Sequence, residues 1–217
     1  INDVDATFGS KLFDKYFSET ASTFVLTDAE QAFVRSTDVV RVGVRTNQQP
    51  YQYEEDGELR GIAVNLLDVI AKKAGLEFEY VRAPSRSELD AMLQDGRIDM
   101  VAVAEYDFDA ARIARMGLTQ PYVTASYVLA ANDAVQEGVI EGKRLALSSA
   151  SRYNGDFVGD PMQFESVPAC VQAVIDGDAD YTYADEYVVQ YFMNTPEFRG
   201  IRMSPQTYEP HRLCFGV

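Results

Sequence analysis

The sequence predicts an α/β protein of two lobes, each a small, mostly parallel sheet flanked by helices. Apolar or β-branched runs alternate with helical segments from Val39 onward, which is the signature of βαβ units. A polar, acidic stretch at 132–143 interrupts that alternation, and the same rhythm then starts again. Within it, Ile98–Val103 is nearly continuous in apolar residues, as in a parallel strand buried on both faces.

Residues 1 to about 36 read as two helical segments. Leu12, Phe13, Tyr16 and Phe17 share a helical face, and Thr27 with Glu30 forms a capping-box pattern opening a helix through Arg35. Val39–Val44 is a strand, Tyr51-Gln-Tyr53 precedes a turn at Asp56-Gly57, and a helix runs from about Val64 to Ala74 and stops at Gly75. Phe78–Val81 is a strand, Ser85 with Glu88 opens a helix that ends at Gly96, and Ile98–Val103 follows. Asp109 is expected to cap a short helix carrying Arg112, and Tyr122–Ala130 is the next strand.

In the second lobe the expected strands are Leu145–Ser148, Met162–Glu165 and Tyr181–Tyr183. The expected helices are Ser151–Val158, one capped by Ser166 and ending near Gly177, and one capped by Asp185 through Met193. Residues 195–210 hold Pro196, Pro205 and Pro210, and the last residues, Leu213–Val217, turn apolar again as part of a strand.

Composition excludes several classes. The 217 residues include 34 Asp plus Glu against 19 Lys plus Arg, a formal charge of −15, which repels nucleic acid and anionic lipid. One histidine, His211, removes His-pair metal sites and argues against a serine or cysteine triad. Cys170 and Cys214 are too few for a thiolate zinc site; they are either one bridge or two small buried hydrophobes. No metal, phosphate loop or other cofactor motif is present, and no apolar run approaches the ~20 residues that span a bilayer.

Several segments together resemble family 3 of the bacterial extracellular solute-binding proteins, the polar amino-acid binders of the type II periplasmic-binding-protein fold. They are Arg-Val-Gly-Val at 41–44, Gln-Pro-Tyr at 49–51, Asp-Gly-Glu-Leu-Arg-Gly at 56–61 and Leu-Gln-Asp-Gly-Arg-Ile-Asp at 93–99. Asp-Ala-Ala-Arg at 109–112, Leu-Thr-Gln-Pro-Tyr at 118–122, Ile-Asp-Gly-Asp-Ala-Asp-Tyr at 175–181 and Ala-Asp-Glu at 184–186 continue the likeness in order. The resemblance implies lobe 1 at 37–130, completed by 209–217 and lacking its usual C-terminal helices, and lobe 2 at 131–208. Residues 1–36 resemble the helical tail of a preceding domain plus the linker of tandem venus-flytrap sensors. Residues 1–17 would then cover lobe 1, either in cis or from a neighbouring chain.

The resemblance also implies a set of ligand-binding residues. Arg112 stands where the family grips a ligand α-carboxylate, a task suited to a planar guanidinium. Its expected place at the start of a helix would add backbone N–H donors. Asp185 stands where an acid receives the α-ammonium and is equally readable as a helix N-cap. Tyr51 would cover the ligand side chain or serve as a core tyrosine. Ser148, Ser149 and Ser151 would complete the carboxylate cradle. Glu105 and Asp107 depart from the family pattern; they point either to a basic ligand or to carboxylates that face solvent or neutralise Arg112. His211 is expected to be a solvent-facing hinge residue.

The function implied is an extracytoplasmic sensor domain that closes around a small polar ligand, an amino acid or related amine or carboxylate, and signals to a membrane-linked kinase or cyclase. Its parent would be anchored at the periplasmic or extracellular face of the membrane, with dimerisation left open. The alternatives are a free binding protein of an ABC amino-acid importer and a dehydratase-like enzyme on the same fold. The expectation is a binding module and not an enzyme.

Overall fold

The computed structural model describes residues 25–133, 135, 141–148 and 160–217. The expected helices at 1–17 and Ser151–Val158 lie outside the described residues. The chain forms two compact units. The first holds the described residues up to Val123 together with Arg212–Val217; the second is Thr124–His211.

Helix α1 (Asp28–Ser36) opens on the expected capping box, with the Thr27 side chain accepting from the Glu30 N–H and Glu30 accepting from the Thr27 N–H. The sheet of the first unit is built round β1 (Val40–Val44). Strand β5 (Phe78–Arg82) pairs with it in parallel from Val40↔Phe78 to Val44↔Arg82. On its other side β6 (Met100–Glu105) pairs in parallel, with Val42 opposite Met100. Helices α2 (Ile62–Ala74) and α3 (Arg86–Gln94) make the two crossovers that parallel pairing demands. Gly75 takes the left-handed conformation (φ 75°) that ends α2. Ala83, Leu89, Met92, Ile98, Val101, Ala104, Met116 and Cys214 pack as one buried cluster.

Between β1 and α2 lies a small antiparallel sheet of β2 (Asn47–Gln48), β3 (Gln52–Glu55) and β4 (Glu58–Arg60). Its β3–β4 turn is Asp56-Gly57, both at positive φ (53° and 80°), the geometry that a two-residue hairpin prefers.

The second unit repeats the plan. Strand β8 (Arg144–Ser148) lies between β9 (Asp160–Phe164) and β10 (Tyr181–Asp185), both parallel to it. Helix α5 (Val167–Asp176) starts on the Ser166 cap and ends at Gly177, φ 79°. Strand β7 (Val123–Asn132) pairs antiparallel with β10, from Tyr181↔Ala131 to Asp185↔Tyr127. Helix α6 (Glu186–Met193) follows β10 directly.

One expectation needs correction, and two features go beyond the sequence reading. The short helix α4 (Phe108–Ala114) is capped by Asp107, whose Oδ1 accepts from the Asp109 and Ala110 N–H groups at 3.0 Å each. Asp109 is therefore inside the helix. The proline-bearing 195–210 segment, given no element from sequence, makes a short turn at Pro196–Phe198 and then becomes β11 (Ile201–Gly216). Pro205 and Pro210 lie in its partly exposed middle, where missing N–H donors are tolerated. Each unit also carries an antiparallel pairing invisible in the local pattern: β7 with β10, and the closing residues of β11 with β6 (Leu213↔Glu105).

The same brace closes the amino edge of both sheets. Asp99 Oδ2 accepts from the Arg41 backbone N–H at 2.8 Å and Nε at 2.9 Å, while Oδ1 accepts from Nη2 at 2.7 Å. Asp180 holds Arg144 through the same three donors at 2.8, 3.2 and 3.3 Å. Hydrogen bonding from the arginine holds both carboxyls below their ordinary range. A depressed folded pKa gives stability that is present above the unfolded value, ~3.9, and is lost as pH falls through the folded one. Thermal melts of Asp99→Asn and Asp180→Asn should accordingly sit below wild type at pH 7, with the gap narrowing below pH ~4.

Candidate functional site

Both units deliver chemistry to the carboxyl ends of their parallel strands. In each sheet the central strand is followed by one neighbour on one side and then one on the other, so the chain direction reverses there; open α/β sheets bind ligands at such a point. In the first unit β6 ends at Glu105, and the next residues are Tyr106, Asp107 and helix α4 with Arg112. In the second, β8 ends at Ser148 and β10 at Asp185.

Tyr51 is buried, 6% exposed, and sits between β2 and β3 beside the start of α2. Its carbonyl accepts from the Ala63 N–H at 2.9 Å and its N–H donates to the Gln48 carbonyl at 2.8 Å. Gly61 makes this approach possible: a Cβ there would stand 2.4 Å from the Tyr51 carbonyl oxygen, and its φ of 125° is one that side chains avoid.

Arg112 is well exposed, with 80% of its side chain accessible, and pairs with Asp109 at 3.2 Å. A surface pair of that kind contributes little and exchanges readily, so the guanidinium can take another partner. Because α4 begins at Phe108, Arg112 falls in its last turn and not, as expected, at its start; the helix N–H groups are not its companions. Asp107 is committed to capping and Glu105 is half-buried. The Arg212 guanidinium stacks over the Tyr106 ring at 4.5 Å, adding a fixed cation beside this turn.

In the second unit Ser148 is buried and Ser149 and Ser151 lie outside the described residues. Asp185 is 9% exposed. Its Oδ1 accepts from the Tyr187 and Val188 N–H groups at 2.7 and 3.1 Å, and Oδ2 meets His211 Nε2 at 2.8 Å. His211 is thus not solvent-facing. Only 15% of its side chain is exposed, its Nδ1 is buried without a hydrogen-bond partner, and the Tyr127 ring lies against it at 4.6 Å. Tyr127 stacks on Tyr183 at 4.9 Å, and Tyr208 meets Tyr183 edge-on. Sequence reasoning missed this aromatic floor; the alternate tyrosines of β10, Tyr181 and Tyr183, were its only local signal.

Both cysteines are free and buried, which removes the bridge alternative. Among the described residues no group of three or more His, Cys, Asp or Glu could hold a metal. No described helix is long and apolar enough to cross a membrane.

Residues 40–195 match the family described as bacterial extracellular solute-binding proteins, family 3. The chain belongs to that family. The L-cystine-binding protein TcyA of Bacillus subtilis is 25% identical over 193 residues, covering 85% of this chain and 71% of its own. The membrane-bound lytic murein transglycosylase F of Pseudoalteromonas translucida is 27% identical over 175 residues, 74% of this chain but 37% of that enzyme. Among solved structures the periplasmic VFT2 domain of Bordetella pertussis BvgS superposes with a TM-score of 0.72 at 20% identity, covering 89% of this chain and 86% of that one. This likeness establishes the two-lobed type II binding-protein fold.

Two consequences can be measured. Gly61→Ala should destabilise the fold by about 2 kcal/mol or more, since backbone must move, and circular dichroism during urea unfolding will show it. Asp185→Ala removes two capping bonds and the partner of a buried imidazole, for a loss of about 2–4 kcal/mol; Asp185→Asn, which still caps, should lose less.

Proposed function

We propose that this chain is an extracytoplasmic binding domain for a small polar ligand, an amino acid or a close relative, and that it belongs to a membrane-linked sensor. The observation that carries the binding reading is that each unit, taken by itself, places polar side chains just beyond the carboxyl ends of its own parallel strands, Arg112 in the first and Ser148 and Asp185 in the second, within a family of solute-binding proteins. In this reading Arg112 takes the ligand carboxylate, Ser148 contributes to its cradle, and Asp185 takes the ammonium. Tyr51 covers the ligand side chain, and Ser151, outside the described residues, takes the cradle role that the family resemblance implies. Asp107 caps α4 through Oδ1, as Asp185 caps α6, and with Glu105 keeps the ligand-contact role that the family resemblance implies.

The likeness to the BvgS domain favours a sensor, located on the periplasmic side of the cytoplasmic membrane. The importer alternative draws its support from the cystine-binding relative. The enzyme alternative draws its support from the murein transglycosylase relative, while no group of three or more His, Cys, Asp or Glu among the described residues could hold a metal.

A thermal-shift screen against the standard amino acids tests the binding reading. A ligand at 100 times its dissociation constant adds ~2.7 kcal/mol to stability, a shift readily seen. Arg112→Ala should weaken that ligand by roughly 30-fold or more in calorimetry, with the ligand-free melting temperature unchanged because the residue is exposed. Undiminished affinity would remove Arg112 from the site. Full-length protein whose membrane-linked output domain ignores the bound ligand would remove the sensor assignment.

A further inference from the structure

The first unit holds a second cationic feature that the amino-acid reading leaves unused. Arg45 follows directly on Val44, the last residue of β1. Strand β5 ends alongside, at Arg82, and the Ala83 N–H still donates to the Val44 carbonyl at 2.9 Å. Three residues beyond Ala83, Arg86 opens α3. The main chain therefore brings Arg45 and Arg86 to one corner of the sheet, at the same carboxyl edge that carries Glu105 and α4 on the far side of β1.

Arg45 is poorly compensated there. It is half-buried, its Nε is shut from solvent without a hydrogen-bond partner, and its Nη2 reaches only the neutral Asn47 side-chain oxygen, at 3.3 Å. No described carboxylate pairs with it. Burial, and then the like charge of Arg86, make its cationic form less favourable than that of an ordinary arginine. Arg86 is also badly placed: it lies in the first turn of a nine-residue helix, where the helix dipole disfavours a cation. Its Nε is held by Asp90 at 2.7 Å, which leaves the two terminal nitrogens for another acceptor. The third arginine of this corner, Arg82, is already neutralised by Glu54 at 2.6 Å. In a chain of net charge −15, one guanidinium without a carboxylate partner, beside a second whose terminal nitrogens stay open, forms an arrangement that a bound anion relieves.

Resting on the binding reading above, we propose that Arg45 and Arg86 form an anion-receiving subsite and that the ligand brings it a carboxylate: an acidic amino acid or a related dicarboxylate. Two forked donors match the two oxygens of a carboxylate, and Arg45, already partly desolvated, gives up little water on binding it. Cationic amino acids are excluded by the same two charges.

Calorimetry on the intact domain with L-glutamate, L-aspartate, succinate, L-glutamine, L-lysine and L-arginine tests this directly. The expected result is tightest binding of an acidic compound, with an affinity that falls as salt rises. Arg45→Gln and Arg86→Gln should each weaken it at least ~30-fold, and Arg45→Lys and Arg86→Lys should lose less. Ligand-free Arg45→Gln should melt no lower than wild type, since no ion pair is lost; Arg86→Gln, at a half-exposed position, carries the test if Arg45→Gln fails to fold. Binding confined to neutral or cationic amino acids, or acidic binding untouched by Arg45→Gln and Arg86→Gln, overturns the subsite and leaves the proposed function standing. Failure of all six compounds to bind overturns the subsite, and failure of the full amino-acid screen overturns the proposed function as well.

Discussion

Parallel pairing around one central strand is the constraint from which both units follow. A parallel neighbour can be reached only by a crossover, so β1 and β8 each need a covered path out to one side and back to the other. Once that path is taken, every strand in the set ends at the same edge, and loops leaving that edge start from a rigid, hydrogen-bonded base. Arg45, Arg86, Glu105 and Arg112 in one unit, and Ser148 and Asp185 in the other, owe their positions to this rule. The opposite edge is sealed by the twin Arg41–Asp99 and Arg144–Asp180 braces. The two braces thus lie at the opposite ends of the strands from the residues proposed to meet the ligand.

The parts legible in sequence were those governed by neighbours in the chain. Thr27, Ser85, Ser166 and Asp185 each satisfy N–H groups two or three residues ahead, so their capping roles are written locally. The apolar run into β6 and the left-handed stops at Gly75 and Gly177 are of the same kind. Asp107 and Asp109 show where local rules tie. Both are good caps two residues apart, and the choice between them moved Arg112 from the first turn of α4 to its last.

Features set by distant chain were not legible. Pro205 and Pro210 argue against a strand, yet β11 forms because its end pairs with β6, more than a hundred residues earlier. His211 looked like a solvent-facing residue until Asp185 and Tyr127, from two other strands, enclosed it. Arg45 shows nothing unusual in sequence; its character comes from partial burial beside Arg86 and from the carboxylate it lacks. The family resemblance carried the fold and the solute-binding class, because those rest on landmarks spread along 40–195.

The two thiols have a practical consequence. Cys170 belongs to one compact unit and Cys214 to the other, and both are enclosed. Burial lifts the Cys170 thiol to about 11 and pushes Cys214 upward as well. Both thiols therefore stay protonated at neutral pH, and burial keeps alkylating reagents from them while the fold is closed. Each sulfur is therefore a native reporter for the opening of its own half, and mass spectrometry of the labelled peptides could time the two events separately in a single tube.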